Sequence, residues 1–277
     1  MKGAQKVIKW FALALAVLLI VTIFSGIIGG LSFVGMMVWG DEISWNGNSE
    51  WVNTEFSGKE MTRLDVNVKA TAVRIRTVKE GEPVRIETNN EYITSWVDGS
   101  TLNVVEKSHG FFGWGGTGDL VIYVREDTTF DSVEIEIGAG TLDVERLEAR
   151  DLKLNLGAGK TAIDELFATR RAEIDGGAGV VEIRGGELHD LDLDLGAGKA
   201  ELRARVVGNG RVTAGVGKTE LTLIGREGDY RLRIDKGIGS VTLDGRSLSD
   251  GESVGSGTTL IEIDSGVGAV EMKIVEE

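Results

Sequence analysis

The sequence predicts an all-β chain of stacked strand repeats, of β-solenoid type, preceded by one N-terminal transmembrane helix. Three observations carry this expectation. Residues 10–40 hold no charged side chain; a Gly-x-Gly tripeptide recurs seven times at near-constant spacing; and polar and apolar residues alternate on both sides of each tripeptide.

The uncharged run is "WFALALAVLLIVTIFSGIIGGLSFVGMMVWG". A bilayer core needs about 20 apolar residues in a helix, so one tilted span fits and two do not. Lys2, Lys6 and Lys9 precede it, and Asp41 and Glu42 follow. The excess of lysine makes residues 1–9 a cytoplasmic N-terminus and places the rest outside. The expected location is therefore the cell membrane, single-pass, with an extracytoplasmic C-terminal domain. Trp10 and Trp39 stand at the two ends, where interfacial aromatics belong. A cleaved signal peptide would have a shorter apolar core, about 7–15 residues, and a small-residue cleavage site. Neither is present, which favours an uncleaved signal anchor. Gly26 and Gly30 offer a small-residue packing face, although glycine is common in such spans. Residues 41–60, with Trp45 and Trp51, read as a linker, and 61–277 as one extracytoplasmic β-repeat domain.

The three lysines give the first 40 residues +3 of a total of −14, so the remainder carries −17. Such a surface repels phosphates, and nucleic acid is set aside as a partner. The chain has 40 Gly, 1 Pro and no Cys. The missing cysteines remove disulfides, thiolate metal sites and thiol nucleophiles. The many glycines require a geometric use, because glycine loses most freedom on folding.

That use is visible in the repeat. The tripeptides are Gly138-Ala139-Gly140, Gly157-Ala158-Gly159, Gly177-Ala178-Gly179, Gly196-Ala197-Gly198, Gly215-Val216-Gly217, Gly237-Ile238-Gly239 and Gly266-Val267-Gly268. First-glycine spacings are 19, 20, 19, 19, 22 and 29. A fixed period of this size marks a stacked repeat. Three residues before the first Gly stand Ile135, Leu154, Ile174, Leu193, Val212, Ile234 and Ile263. Six after it stand Val144, Ile163, Ile183, Leu202, Leu221, Leu243 and Met272. Alternation at period two between these columns means strands with one buried face. Each repeat therefore reads as strand, corner, strand, turn. Alone, about twenty ordered residues lose more backbone entropy than a few apolar side chains return, so repeats must stack. Each strand then pairs with the rungs above and below.

"LGAGKT" invites a phosphate-loop reading, which the spacing removes. A Walker loop needs glycine five positions before the Gly of Gly-Lys-Thr. Leu154 and Val212 stand there, and the residues that follow alternate as a strand where a helix should open. Nucleotide binding is set aside, and no cofactor is expected. "LDVNVKATAVRI", Leu64 to Ile75, is a weaker copy with Lys69-Ala70-Thr71 in place of the glycine corner. "EPVRIET", "STLNVVEK" and "DLVIYVRE" read as further strands of an irregular, capping first half. The last strand, "AVEMKIV", ends near Val275.

An anchor, a short linker, irregular strands and then "FDSVEIEIGAGTLDVERLEARDLKLNLGAGKTAIDEL" resemble the bacterial putative adhesin family of β-strand-repeat envelope proteins. These are also called toast-rack domains and resemble the C-terminal domains of cell-wall-active antibiotic response proteins. The resemblance covers roughly Met61 to Val275, and the chain departs from the pattern at Lys69–Thr71 and in the wide 237-to-266 interval. It implies a stacked β fold at the cell envelope and supplies no catalytic residue.

Candidate sites are few. Phe111, Phe112 and Trp114 form an aromatic loop that reads either as a lid over an open end of the core or as a partner-contact site. Two outward columns are rich in acids: Glu136, Asp175, Asp194, Asp235 and Asp264 before the corners, and Asp143, Glu182, Glu201, Glu220 and Glu271 after them. Stacked like charges repel, which a divalent cation relieves. Uncharged Asn155, Thr213, Ala162 and Thr242 interrupt both columns, as a solvated face would. No metal site is assigned. His109 and His189 lie 80 residues apart and build neither a metal cluster nor a triad. No acid stands out of its column, so no catalytic residue is assigned.

The expected function is non-enzymatic: a membrane-anchored interaction or scaffold module of the cell envelope, an accessory in envelope-stress signalling by analogy alone. Its partner would be a membrane protein such as a sensor kinase. The alternative is a surface adhesin that binds polysaccharide or a host surface; an envelope carbohydrate-active enzyme ranks third.

Overall fold

The computed structural model describes residues 50–57, 60–107 and 118–276. Two compact units separate, Met1–Trp45 and Asn46–Glu277, and every described residue belongs to the second. No helix among the described residues is long and apolar enough to cross a membrane; the expected span, 10–40, lies outside them.

The described unit is all-β. Its thirteen strands are β1 (Val52–Phe56), β2 (Arg63–Val68), β3 (Ala72–Val78), β4 (Val84–Thr88), β5 (Ile93–Asp98), β6 (Thr101–Glu106), β7 (Asp119–Arg125), β8 (Phe130–Ile183), β9 (Gly186–Ile224), β10 (Tyr230–Leu243), β11 (Arg246–Ser247), β12 (Ser253–Gly255) and β13 (Thr259–Val275). All join one sheet. Val52–Phe56, within the segment expected as linker, pairs antiparallel with β4 and forms an edge.

The repeat columns become the core. All fourteen residues three before and six after the first glycines are buried. The turn expected after each second strand is a third extended segment. β8 passes through it without a break, burying Leu147 and Ala149, then Leu166 and Ala168. This segment also stacks: Leu166, Phe167 and Ala168 register with Gly186, Glu187 and Leu188. A register shift between Ala168 and Ala172 absorbs the repeat that is 20 residues long.

The weaker copy is the first corner rung. β2 pairs parallel with β8 through Val66↔Ile135, and β3 through Ile75↔Val144. The Ala139 N–H donates to the Lys69 carbonyl at 2.6 Å. One rung further out, β6 pairs with β2 and β7 with β3. β5, β4 and β1 close the two edges antiparallel.

At the other end the order of the chain is broken. β13 lies between β9 and β10: Ile263 registers with Val212 on one side and with Ile234 on the other. The seventh corner thus stacks on the fifth, and the sixth is outermost. Two physical reasons favour this order. An outermost β13 would leave a 17-residue edge open to pairing with other chains. With β10 outermost, β11 and β12 cover the edge at Thr242–Leu243 and Arg231–Arg233, and buried Leu248 closes the core. The second reason is charge, in the column four residues before the corners. Glu262 lies between Arg211 and Arg233, at 3.2 and 3.5 Å. Stacking in chain order would set the two arginines side by side.

Candidate functional site

The fourteen glycines of the sequence reading align in one column. Glycine is required there by contact as well as by angle. A Cβ on Gly157 would lie 2.0 Å from the Gly138 carbonyl oxygen, and one on Gly159 would lie 1.8 Å from that of Gly140. Gly159 also has φ +144°. The pattern continues through Gly177 and Gly179, Gly196 and Gly198, Gly215 and Gly217, Gly266 and Gly268, and ends at Gly237 and Gly239. Each rung rests on the bare backbone of the one before it.

The edge formed by these corners has a crest and two flanks. Along the crest the middle residues run Ala139, Ala158, Ala178, Ala197, Val216, Val267, Ile238 in stacking order. The aliphatic tips are therefore consecutive, and they are 55%, 48% and 75% exposed. The sequence reading passed over them. The available signal was the change of the middle residue from Ala to Val or Ile, but only the inserted β13 puts Val267 between the other two.

The flank before the corners is acidic. Asp175 registers with Asp194, and Asp235 with Asp264. Among the described residues none of these four has an ion-pair partner. Burial, then Glu173 and Asp194, push the Asp175 carboxyl above the ordinary aspartate range. Glu136, by contrast, accepts hydrogen bonds from Asn67 and, at 3.4 Å, from Asn155. A groove of about 560 Å³ runs here between the acids and the corner backbones. The flank after the corners carries Lys160, Lys199 and Lys218. Lys199 pairs with Glu201, and Lys218 with Glu220 at 2.8 Å and Glu271 at 3.1 Å.

Four residues before the corners the charges are instead balanced. Lys153 lies 3.9 Å from Glu134 and 3.7 Å from Glu173; Arg171 bridges Glu173 and Asp192 at 3.3 and 3.8 Å. Arg211, Glu262 and Arg233 continue the alternation. Two columns on one strand face thus differ: one is neutralised within the chain and one is not.

The head of the corner column holds a residue the sequence reading missed. Glu106 is 2% exposed. Its Oε2 accepts from the Lys69 N–H at 2.7 Å, the Ala70 N–H at 3.1 Å and the Thr71 hydroxyl at 3.0 Å. The Asn90 amide donates to the same hydroxyl at 2.8 Å. At the next corner the Ala139 N–H donates to the Lys69 carbonyl; at Lys69 and Ala70 the acceptor is a carboxylate. Among the described residues Oε1 of Glu106 is buried without a hydrogen-bond partner.

Phe111, Phe112, Trp114 and His109 lie outside the described residues. The base of their loop is held: Gly118 accepts from the Ala72 N–H at 2.9 Å, and the Asp119 N–H donates to Asn89 at 2.7 Å. His189 contacts Glu187 at 2.9 Å on the surface of a third segment. Among the described residues no three acids or histidines converge as a metal site.

A stack of near-identical rungs on a glycine corner, sealed at its ends, defines a toast-rack class of β-repeat domain. A match to the Toastrack DUF4097 family over residues 61–252 places the chain in that family, to which it belongs. No curated protein matches the chain. A putative cell adhesion protein from Clostridium sporogenes is 14% identical over 82% of this chain and 99% of its own, with a TM-score of 0.35. A putative adhesin from Bacteroides fragilis is 15% identical over 80% and 97%, with a TM-score of 0.38. A putative lipid binding protein from Parabacteroides distasonis is 12% identical over 83% and 98%, with a TM-score of 0.28.

Proposed function

We propose that this protein is a membrane-anchored envelope module that works without catalysis, through contacts along its corner edge. The carrying observation is the run of exposed tips Val216, Val267 and Ile238 in three consecutive rungs. Exposed aliphatic residues in one contiguous row mark contact surfaces more often than scattered ones do. The sequence supports an anchor at residues 10–40 and hence a domain outside the cytoplasm. The reading without catalysis is supported by the outward acids, which among the described residues follow register columns. Accessory action in envelope-stress signalling is the finer form of the proposal, and it requires a membrane-protein partner.

The test is photo-crosslinking from position 238 or 267 of the full-length chain in its native membrane, with position 203 as control. Capture of an integral membrane protein from the corner positions alone supports the reading. Equal capture from all three positions, or turnover of cell-wall glycans by the purified chain, overturns it.

A further inference from the structure

Inside the corner column the two arms of each bend face one another across a narrow bore. The arm before the glycines is bulky at Ile137, Leu156 and Leu195, but bare or small at Gly176, Ala214 and Ser265. A cavity of about 50 Å³ runs along it beneath the corners. Three hydroxyls open into this cavity. Thr161 and Thr219 are 5% exposed, and Ser265 is 3% exposed. Among the described residues none of the three has a hydrogen-bond partner. Oε1 of Glu106 is sealed in protein, whereas each of these hydroxyls borders the bore.

We propose that the bore is a binding site for water, held as a short file by Thr161, Thr219 and Ser265 under the glycine corners. Buried hydroxyls in folded proteins are almost always hydrogen-bonded, and where the chain offers no partner water supplies one. A buried water needs roughly 10–15 Å³ of such volume, so 50 Å³ admits about three to five.

The hydroxyls stand where the bore is widest. Ser265 registers with Ala214, and Thr219 is the opposite arm of the Ala214 rung. The two hydroxyls therefore lie diagonally across one bend, with only a methyl group beside them. Thr161 lies next to the rung of Gly176, which brings no side chain; the contact of Gly177 with Gly157 makes the two rungs adjacent. The lining also selects water over a metal ion. Asp175 and Asp194 alternate to the other face of their strands and line the outer groove, so no carboxylate enters the bore. Hard divalent cations prefer charged oxygens.

The second wet stretch lies under the aliphatic tips. Thr219 shares a rung with Val216, and Ser265 with Val267. That part of the exposed row is backed by exchangeable solvent, while the first glycine corner is backed by Ile137 and Leu142. The inference does not require the row to be a contact surface.

In crystals of the full-length chain, density is expected about 3 Å from Ser265 Oγ, Thr219 Oγ1 and Thr161 Oγ1. Thr219→Val and Ser265→Ala supply a second arm, with Thr213→Val, on the outward face of the same strand as Thr219, as the control for strand propensity. With water bound, each removes an anchor of the file and should lower the urea midpoint relative to the control. With dry hydroxyls, each removes an unmet polar group and should leave the midpoint unchanged or raise it. That second result, or a bore without density, overturns the proposal. An anomalous peak in the bore after soaking with thallium would mark a monovalent cation in place of water and overturn it too.

Discussion

At the head of the stack the corner Lys69–Ala70–Thr71 meets the carboxylate of Glu106; at the tail no strand pairs with the outer side of Gly237–Ser240 among the described residues. Among the described residues the N–H groups of this non-glycine corner find their acceptor in a side chain, as buried N–H groups must find one somewhere. The tail is closed behind the corner. The Leu248 N–H donates to the Val241 carbonyl, the Gly251 N–H to the Ile234 carbonyl, and the Lys236 N–H to Asp250. That chord covers the core and leaves Ile238 protruding. The difference teaches that a stack is sealed wherever its core would be wet, while the corner column is free to end in an exposed, shaped surface.

The comparison breaks most severely through the glycines. Gly157→Ala drives a Cβ to 2.0 Å from a backbone oxygen with no room to yield, whereas at Gly138, over the head corner, the closest approach is 2.8 Å. We expect Gly157→Ala to cost about 4 kcal/mol or more and Gly138→Ala about 1–2 kcal/mol, read from denaturant midpoints. Equal costs would mean that the corners do not stack so tightly.

Glu106→Ala is next. It leaves two backbone N–H groups and a hydroxyl buried without their acceptor, which costs about 3 kcal/mol. Glu106→Gln keeps an acceptor and should lose roughly 1 kcal/mol. A smaller effect of the Ala variant, measured by chemical unfolding, would show that the head is sealed by something other than this carboxylate.

The tail order is tested by Glu262→Arg, which stacks three arginines. The loss should be about 1 kcal/mol at low salt and shrink with added salt, since the pairs are exposed. A neutral result at low salt would count against β13 lying between β9 and β10.

The smallest effect concerns Asp175, which is raised by burial, Glu173 and Asp194. A carboxyl whose folded value is raised binds its proton more tightly in the folded chain. Its ionisation therefore disfavours folding at neutral pH, and that penalty fades as pH falls through the carboxylate range. Asp175→Asn should raise the thermal midpoint slightly at pH 7, with the gain vanishing toward pH 4 or roughly there. A gain that grows on acidification would reverse the sign of this reading.

Much of this was legible in the chain. The spacing of Gly157 and Gly177, and the apolar columns at Leu154 and Ile163, gave period, face and register, because a strand's two-residue periodicity writes itself into sequence. The third extended segment was less so: each repeat reads as ending in a turn, and only the stacking of residues such as Ala149 and Ala168 makes it extended. Glu106 was invisible, because nothing local distinguishes an acid at a strand end from one that closes a corner 36 residues earlier in the chain.

What the sequence determined by itself was membership: which residues share a column, since the repeat fixes each one's place within its rung. What the tertiary structure decided was adjacency: which rung lies on which. A column says nothing of order. Order followed from edge protection and from Glu262 between two arginines, both long-range energies, and it is order that brings Val216, Val267 and Ile238 into one row.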